Sequence, residues 1–327
     1  ALPPIAVADG AFAGLVTVNG EPADAAYLDT RKDQLLAAYH AAKPDIVLIE
    51  AFPFGRRQVR FELLPLIEAI DATQPRPLLV SSLRDILQRR SKPGRDEETV
   101  ALVRRAFDLV LVHGDPAFAA LGDSFALADQ IEDRVAYSGL VCPPAPPPAT
   151  ESFDVTVSAG GGAAGKHLIA AALGAARLLP ELPRWCIITG PNLPQPEYDR
   201  FGRDLPANVQ LVRFRPDLAS LMTGTRLSVS QAGYNTVADI LVAGCRALLV
   251  PYAVDGETEQ TDRAERLARI GRVGVIAEAE LSDIALAAAI RREIARPFSA
   301  QAVQISTDGA ARSAEILLEI AGRTTRG

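Results

Sequence analysis

The sequence predicts an α/β protein made of two doubly wound parallel-sheet domains that face each other across a cleft. Three observations carry this reading. Short apolar runs dense in branched residues alternate with segments of helical spacing along most of the chain. The stretch CPPAPPPAT, residues 142–150, breaks that alternation near the middle, because its five prolines continue neither a helix nor a central strand. The length of 327 residues suits about two domains. The expected division is 1–145 and 146–327, with ligands bound outside the carboxyl ends of the strands, in the cleft.

In the first domain, PDIVLIE (44–50), PLLVSS (77–82), FDLVLVHG (107–114) and RVAYSGLV (134–141) read as buried strands. They lie between segments such as TRKDQLLAAYHAA, which has helical spacing. In the second, strands are expected at 153–161, 184–190, 208–214, 226–231, 247–252 and 272–277. Helices are expected at 164–180, 235–244 and 258–271, with a short one in LASLMTGT. A tail helix over 307–323 closes the chain, with Thr307 or Asp308 as its N-cap.

The bulk numbers exclude several classes. The chain is 48% hydrophobic and 23% charged, so it buries a sizeable core. A net charge of -6 gives no basic footprint for nucleic acid. Cys142, Cys186 and Cys245 have no metal-ligand spacing and make no disulfide framework; they read as reduced thiols. The opening ALPPIAVADG lacks a charged region followed by an apolar core, and no apolar run reaches membrane-spanning length. The expectation is a soluble, cytoplasmic protein; contact with a membrane surface is compatible with the sequence but not indicated by it.

The stretch VSAGGGAAGKH (157–167) fits two phosphate-binding patterns. Read as an ATPase P-loop it fails, since the residue after Lys166 is His167 and not the Ser or Thr that ligates magnesium. Gly160, Gly162 and Gly165 spell a dinucleotide fingerprint. That reading needs a carboxylate at the end of the next strand, where Ile187 to Asn192 offer none. The bland alternative is a glycine turn needed only for close packing. A second strand–turn–helix, SVSQAGYNTVAD (228–239), presents the unpaired N–H groups of a helix start from about Ala232 to Thr236. Two such helix starts can converge on one diphosphate. ETEQTDRA (257–264) adds a polar, acidic third loop.

The block SQAGYNTVADILVAGCRALLVPYAVDGETEQTDRAERLARIGRVGVI resembles the donor-binding half of GT-B glycosyltransferases. The pattern is similar to the family 28 carboxy-terminal domain of the enzyme that adds N-acetylglucosamine to the lipid-linked peptidoglycan precursor. It is more similar still to a bacterial family of predicted glycosyltransferases, for which PDIVLIEAFPFGRR, SSLRDIL and LVLVHGDPAF also match. The resemblance implies a nucleotide-diphosphate sugar donor in the second domain and no metal or other cofactor. It implies that Gly161, Gly162 and the loop Ala232, Gly233, Tyr234, Asn235 and Thr236 hold the diphosphate. Asp239 stands where the family has a ribose-binding glutamate. Phe214 and Arg215 match the turn whose main chain reads the base, and Glu259 with Gln260 the pair that binds the sugar or the phosphate. Thr236 and Asp239 are also spaced as a capping box, which leaves a structural role open for Asp239. The tail helix is expected to return to the first domain and to bury Ile316, Leu317 and Ile320.

Sugar transfer needs a base at the acceptor hydroxyl and stabilisation of the departing diphosphate. Helix starts and Lys166 suit the second task. For the first, Glu50, Asp85 and His113 end first-domain strands, and His113 titrates nearest neutrality. The alternative for His113 is a structural one, a histidine hydrogen-bonded within the loop HGDP. Arg56 and Arg57 suit an anionic acceptor or the leaving phosphates, or are merely solvated. The likeness departs at the start, for GT-B first domains open with a strand, a glycine-rich loop carrying a histidine, and a long helix. This sequence starts past that unit, at ALPPIAVADGAF, so it is either a piece of a longer chain or has lost the unit and exposes apolar edges. The leading expectation is an inverting glycosyltransferase with an unidentified acceptor. Alternatives are an epimerase or hydrolase of the same fold, or a nucleotide-sugar-binding protein without activity.

Overall fold

The computed structural model describes residues 1–7, 14–89, 93–160, 165–253, 256–298 and 305–324. An antiparallel hairpin, β1 (Ile5–Val7) and β2 (Leu15–Thr17), precedes α1 (Ala25–Ala42). The Asp24 side chain accepts from the Tyr27 N–H at the start of α1, and Lys43 ends it in the left-handed region. Then follow β3 (Ile46–Glu50), α2 (Arg60–Ala72), β4 (Leu78–Arg84), α3 (Arg95–Ala106), β5 (Leu109–His113) and β6 (Val135–Tyr137). The four strands form a parallel sheet in sequential order, β3-β4-β5-β6.

The period of two along these strands sorts their side chains onto two faces. Leu79, Leu83, Val110 and Val112 pack with Ile67, Ile70, Val103 and Phe107 under α2 and α3. Val80, Leu109 and Leu111 pack on the other face against Ile316, which lies on the last helix of the chain. Leu48, on the edge strand β3, is 46% exposed.

The second lobe runs β7 (Phe153–Ser158), α4 (Lys166–Leu178), β8 (Trp185–Ile188), α5 (Gln195–Arg203), β9 (Val209–Val212), α6 (Leu218–Thr223), β10 (Thr225–Ser230), α7 (Tyr234–Ala243), β11 (Ala247–Leu249), α8 (Glu259–Arg269), β12 (Gly274–Val275) and α9 (Asp283–Ala295). Its parallel sheet has the order β12-β11-β10-β7-β8-β9, so the chain switches direction between β7 and β10. In open α/β sheets such a switch point is where a crevice for ligand forms. Val155, Val157, Leu227 and Val229 form the core face against Leu168, Ala172, Leu286 and Ile290 of α4 and α9.

The final helix, α10 (Gly309–Thr324), lies against the first sheet. Ile316 is buried there, while Leu317 and Ile320 are only half-buried, because they sit on the rim of the contact. Asp308 precedes the helix; its main-chain carbonyl accepts from Arg312 N–H, but its carboxylate accepts from Ser306 and not from the helix.

The two lobes share an apolar cluster. Ile86, Phe118 and Ala119 of the first pack with Ala232, Val237, Ala264 and Leu267 of the second. Both sheets therefore present their carboxyl ends to one seam.

Candidate active site

The donor-side turns are neighbours because β7 and β10 are neighbours, with Ser158 opposite Ser230. The turn after β7 opens with Gly160 at φ +75°, a conformation that favours glycine. A Cβ on Gly160 would stand 2.9 Å from Gln231 Oε1 in the turn after β10, so the two turns touch. Gly165 is the N-cap of α4, and a Cβ there would stand 2.4 Å from Ala159 Cβ. This glycine lets the helix start close against its own strand. Gly161 and Gly162, expected to hold phosphate, lie outside the described residues.

At α7 the N-cap is Gly233, no side chain caps the helix, and the first turn closes through Val237 N–H to Gly233 O. The N–H groups of Tyr234, Asn235 and Thr236 are thus the orphan donors of an uncapped helix start. Ala232 is an exception to the expected set of donors, since its N–H is taken by Gln260 Oε1 at 3.0 Å, which also accepts from Tyr252 N–H. Ser230 ends β10 just before this turn, and its buried hydroxyl has no partner among the described residues. The far end of α7 is closed by Gly244 at φ +63° and by the buried Arg272, which donates to Ile240 O and Cys245 O. A cation at that end suits the negative pole of the helix dipole, and the positive pole faces the seam.

Asp239 lies in the second turn of α7, half-buried, with no hydrogen-bond partner among the described residues. Burial pushes its carboxyl above the ordinary value. The capping-box alternative fails, because α7 begins at Tyr234 and both Thr236 and Asp239 lie inside it. Lys166 opens α4 and sits 3.6 Å from Glu197 Oε1 of α5. Phe214 is 65% exposed beyond β9. The Arg215 guanidinium is engaged through Nε and Nη2, with both carboxylate oxygens of Asp217 and with Glu151. Glu259 Oε1 accepts from Arg263 at 2.7 Å.

Of the first-lobe candidates, His113 is held at both ring nitrogens: Ser82 Oγ lies 2.7 Å from Nε2, and Ser138 Oγ 3.0 Å from Nδ1. Its partners are thus hydroxyls of neighbouring chain segments rather than groups within HGDP. Burial lowers its pKa below the usual imidazole range, with the Glu50 charge acting in the opposite direction. Glu50 is half-exposed and pairs with Arg56 at 2.8 Å, with Arg84 further off at 3.8 Å. Arg57, by contrast, pairs with Glu98 of α3, away from this group. Asp85 corrects the expectation. It is fully buried, its two oxygens 2.6 and 2.9 Å from the Arg263 guanidinium, and Oδ1 also accepts from Ile86 N–H. A carboxylate so engaged and shielded is an interlobe partner, not a proton acceptor.

Two residues at the seam escaped the sequence reading. Arg263 looks there like one more charge on a polar helix, and Arg84 like the exposed end of a strand. In the fold, both guanidinium groups approach the Tyr234 ring, at 5.8 and 5.7 Å from its centroid. A cavity of about 1180 Å³, bordered by His40, Lys43, Arg76 and Leu318, lies at the opposite end of the first sheet from His113. Among the described residues no group of three or more His, Cys, Asp or Glu is placed to hold a metal, and no helix is long and apolar enough to cross a membrane.

Two facing Rossmann-like lobes with uncapped helix starts at the seam define the GT-B class, and solved structures of that class match. MurG of Acinetobacter baumannii aligns over 97% of this chain and 83% of its own, at TM-score 0.58 and 15% identity. The Staphylococcus aureus MnaA–UDP structure aligns over 89% and 79%, at TM-score 0.60 and 14% identity. Spinosyn rhamnosyltransferase SpnG complexed with thymidine diphosphate aligns over 88% and 77%, at TM-score 0.52 and 17% identity. Residues 156–315 match the glycosyltransferase family 28 C-terminal domain. The chain has the GT-B fold, and residues 156–315 of it carry the glycosyltransferase family 28 C-terminal domain.

Proposed function

We propose that the protein transfers a sugar from a nucleotide diphosphate donor to an acceptor hydroxyl by direct displacement, with inversion and without a metal. The observation that carries this reading is the contact between the turn at Gly160 and the turn at Gln231, which sets the starts of α4 and α7 side by side. Backbone N–H groups of both helix starts take the diphosphate, and the helix dipoles with Lys166 stabilise it as it departs. Asp239, half-buried and unpaired among the described residues, takes the ribose hydroxyls, and the base lies at the Phe214–Arg215 turn.

In the transfer step the acceptor oxygen forms its bond to the anomeric carbon from the face opposite the diphosphate. The bond from that carbon to the phosphate oxygen breaks, and its electron pair leaves with the diphosphate. The acceptor proton passes to His113, whose lowered pKa keeps it neutral and able to accept; Glu50 then steadies the imidazolium. Calorimetry with UDP, dTDP and GDP tests the reading: micromolar to millimolar binding of at least one is expected. Absence of binding by all three, and by their sugar derivatives, refutes it.

A further inference from the structure

The turn that opens α7 is fastened to the first lobe on both sides of its N-cap. On one side, Ala232 O accepts from Arg263 Nη1 at 2.9 Å. The same guanidinium grips Asp85 of the first lobe with Nε and Nη2, and reaches Glu259 with Nη2. On the other side, the Tyr234 hydroxyl donates to His113 O at 3.1 Å and accepts from Val141 N–H at 2.8 Å. Between them stands only Gly233, the N-cap itself.

An ion pair buried this completely is a poor choice if stability is the only need, since the desolvation of two charges offsets most of their attraction and apolar side chains would serve as well. What a planar guanidinium adds is direction. Its fork matches the Asp85 carboxylate in two parallel bonds, and this fixes where the remaining N–H groups point. One of them holds the carbonyl next to the helix start.

We propose that Asp85, acting through Arg263, and the His113 carbonyl, acting through the Tyr234 hydroxyl, are positioning groups for the donor cradle. The first lobe then sets donor affinity without touching the donor. The inference rests on the donor reading above. It also joins the two halves of the reaction, because the strand that ends in His113 and the turn that takes the diphosphate share one hydrogen bond.

The test measures UDP and dTDP affinity by calorimetry at 10 °C, well below the melting temperature of each protein. The variants are Asp85→Asn, Asp85→Glu, Arg263→Lys and Tyr234→Phe. Asp85→Asn and Arg263→Lys should weaken binding about tenfold, and Tyr234→Phe about threefold. Asp85→Glu, which keeps the carboxylate, should recover most of the loss. With donor sugar and a working acceptor, Tyr234→Phe should raise the donor KM more than it lowers kcat. If the wild type binds and all four variants bind equally well while melting earlier, the contacts are only interlobe adhesive and the inference falls, with the donor reading intact. If the wild type binds none of UDP, dTDP, GDP and their sugar derivatives, both fall together. Tyr234→Phe removes a single hydroxyl, so it decides the matter even where Asp85→Asn does not fold.

Discussion

Ser82 Oγ and His113 Nε2 lie 2.7 Å apart on adjacent strands, and Ser138 Oγ meets the other ring nitrogen at 3.0 Å. A half-buried imidazole between two hydroxyls is well served when neutral, because each hydroxyl can turn to donate or accept. Its folded pKa therefore lies below the ordinary 6.5, with burial as the main cause. In that window the unfolded chain binds more protons than the folded one, so stability is full above the unfolded value and is lost as pH falls toward the folded one. Melting temperatures of the wild type and His113→Gln, compared at about pH 7.5 and pH 5, should show a smaller acid-induced drop in the variant. An equal drop in both would assign the acid sensitivity elsewhere. Catalytically, the acid limb of kcat/KM should fall below the usual imidazole range and vanish in the same variant.

Asp239 carries the opposite signature for an acid. Its carboxyl is raised by burial with no partner among the described residues to relieve it, so ionisation at neutral pH works against the fold. Asp239→Asn should leave the melting temperature unchanged or higher at pH 7, while UDP or dTDP affinity drops about tenfold through loss of the ribose contact. A variant that is destabilised but binds normally would make Asp239 a structural residue.

Gly165→Ala places a methyl 2.4 Å from Ala159 Cβ and 2.8 Å from Ala159 O, atoms that cannot swing away. Overpacking of this kind costs about 1–3 kcal/mol, readable in urea melts. The start of α4 must also shift, so diphosphate affinity should fall with stability. The exposed Gly202, whose added Cβ meets nothing within 4 Å, provides the control as Gly202→Ala.

Phe214 separates binding from folding most cleanly. At 65% exposure its truncation should alter stability by less than about 0.5 kcal/mol. If its ring stacks on the donor base, Phe214→Ala weakens nucleotide binding by about 1 kcal/mol. Calorimetry and a urea melt on one preparation test both halves.

The strands of both sheets were legible because parallel strands buried on both faces leave dense apolar runs such as IVLIE and LVLVH. The turns after β7 and β10 were legible from their glycines and from the helices that follow. The hairpin Ile5–Val7 with Leu15–Thr17 was not, since three-residue strands half open to solvent carry too little periodicity. Pro65 hides α2, because a proline in the sixth position of a helix reads as a break. α3 and α5 are largely charged, and α9 follows no glycine-marked turn. Within the site, the sequence marks which residues end strands but not whether a side chain there turns outward or inward. Glu50 stays half-exposed, whereas Asp85 turns into the seam. Its partner stands 178 residues away in sequence, and only tertiary contact tells a buried Arg263 from its solvated neighbours on α8.

The apolar cluster in which Ile86 and Phe118 meet Val237 and Leu267 has a thermodynamic consequence. Neither half can lose its structure without baring the greasy flank of the other, so heating should yield one calorimetric endotherm with matching van't Hoff and calorimetric enthalpies. Either half expressed by itself would present that flank to water and self-associate.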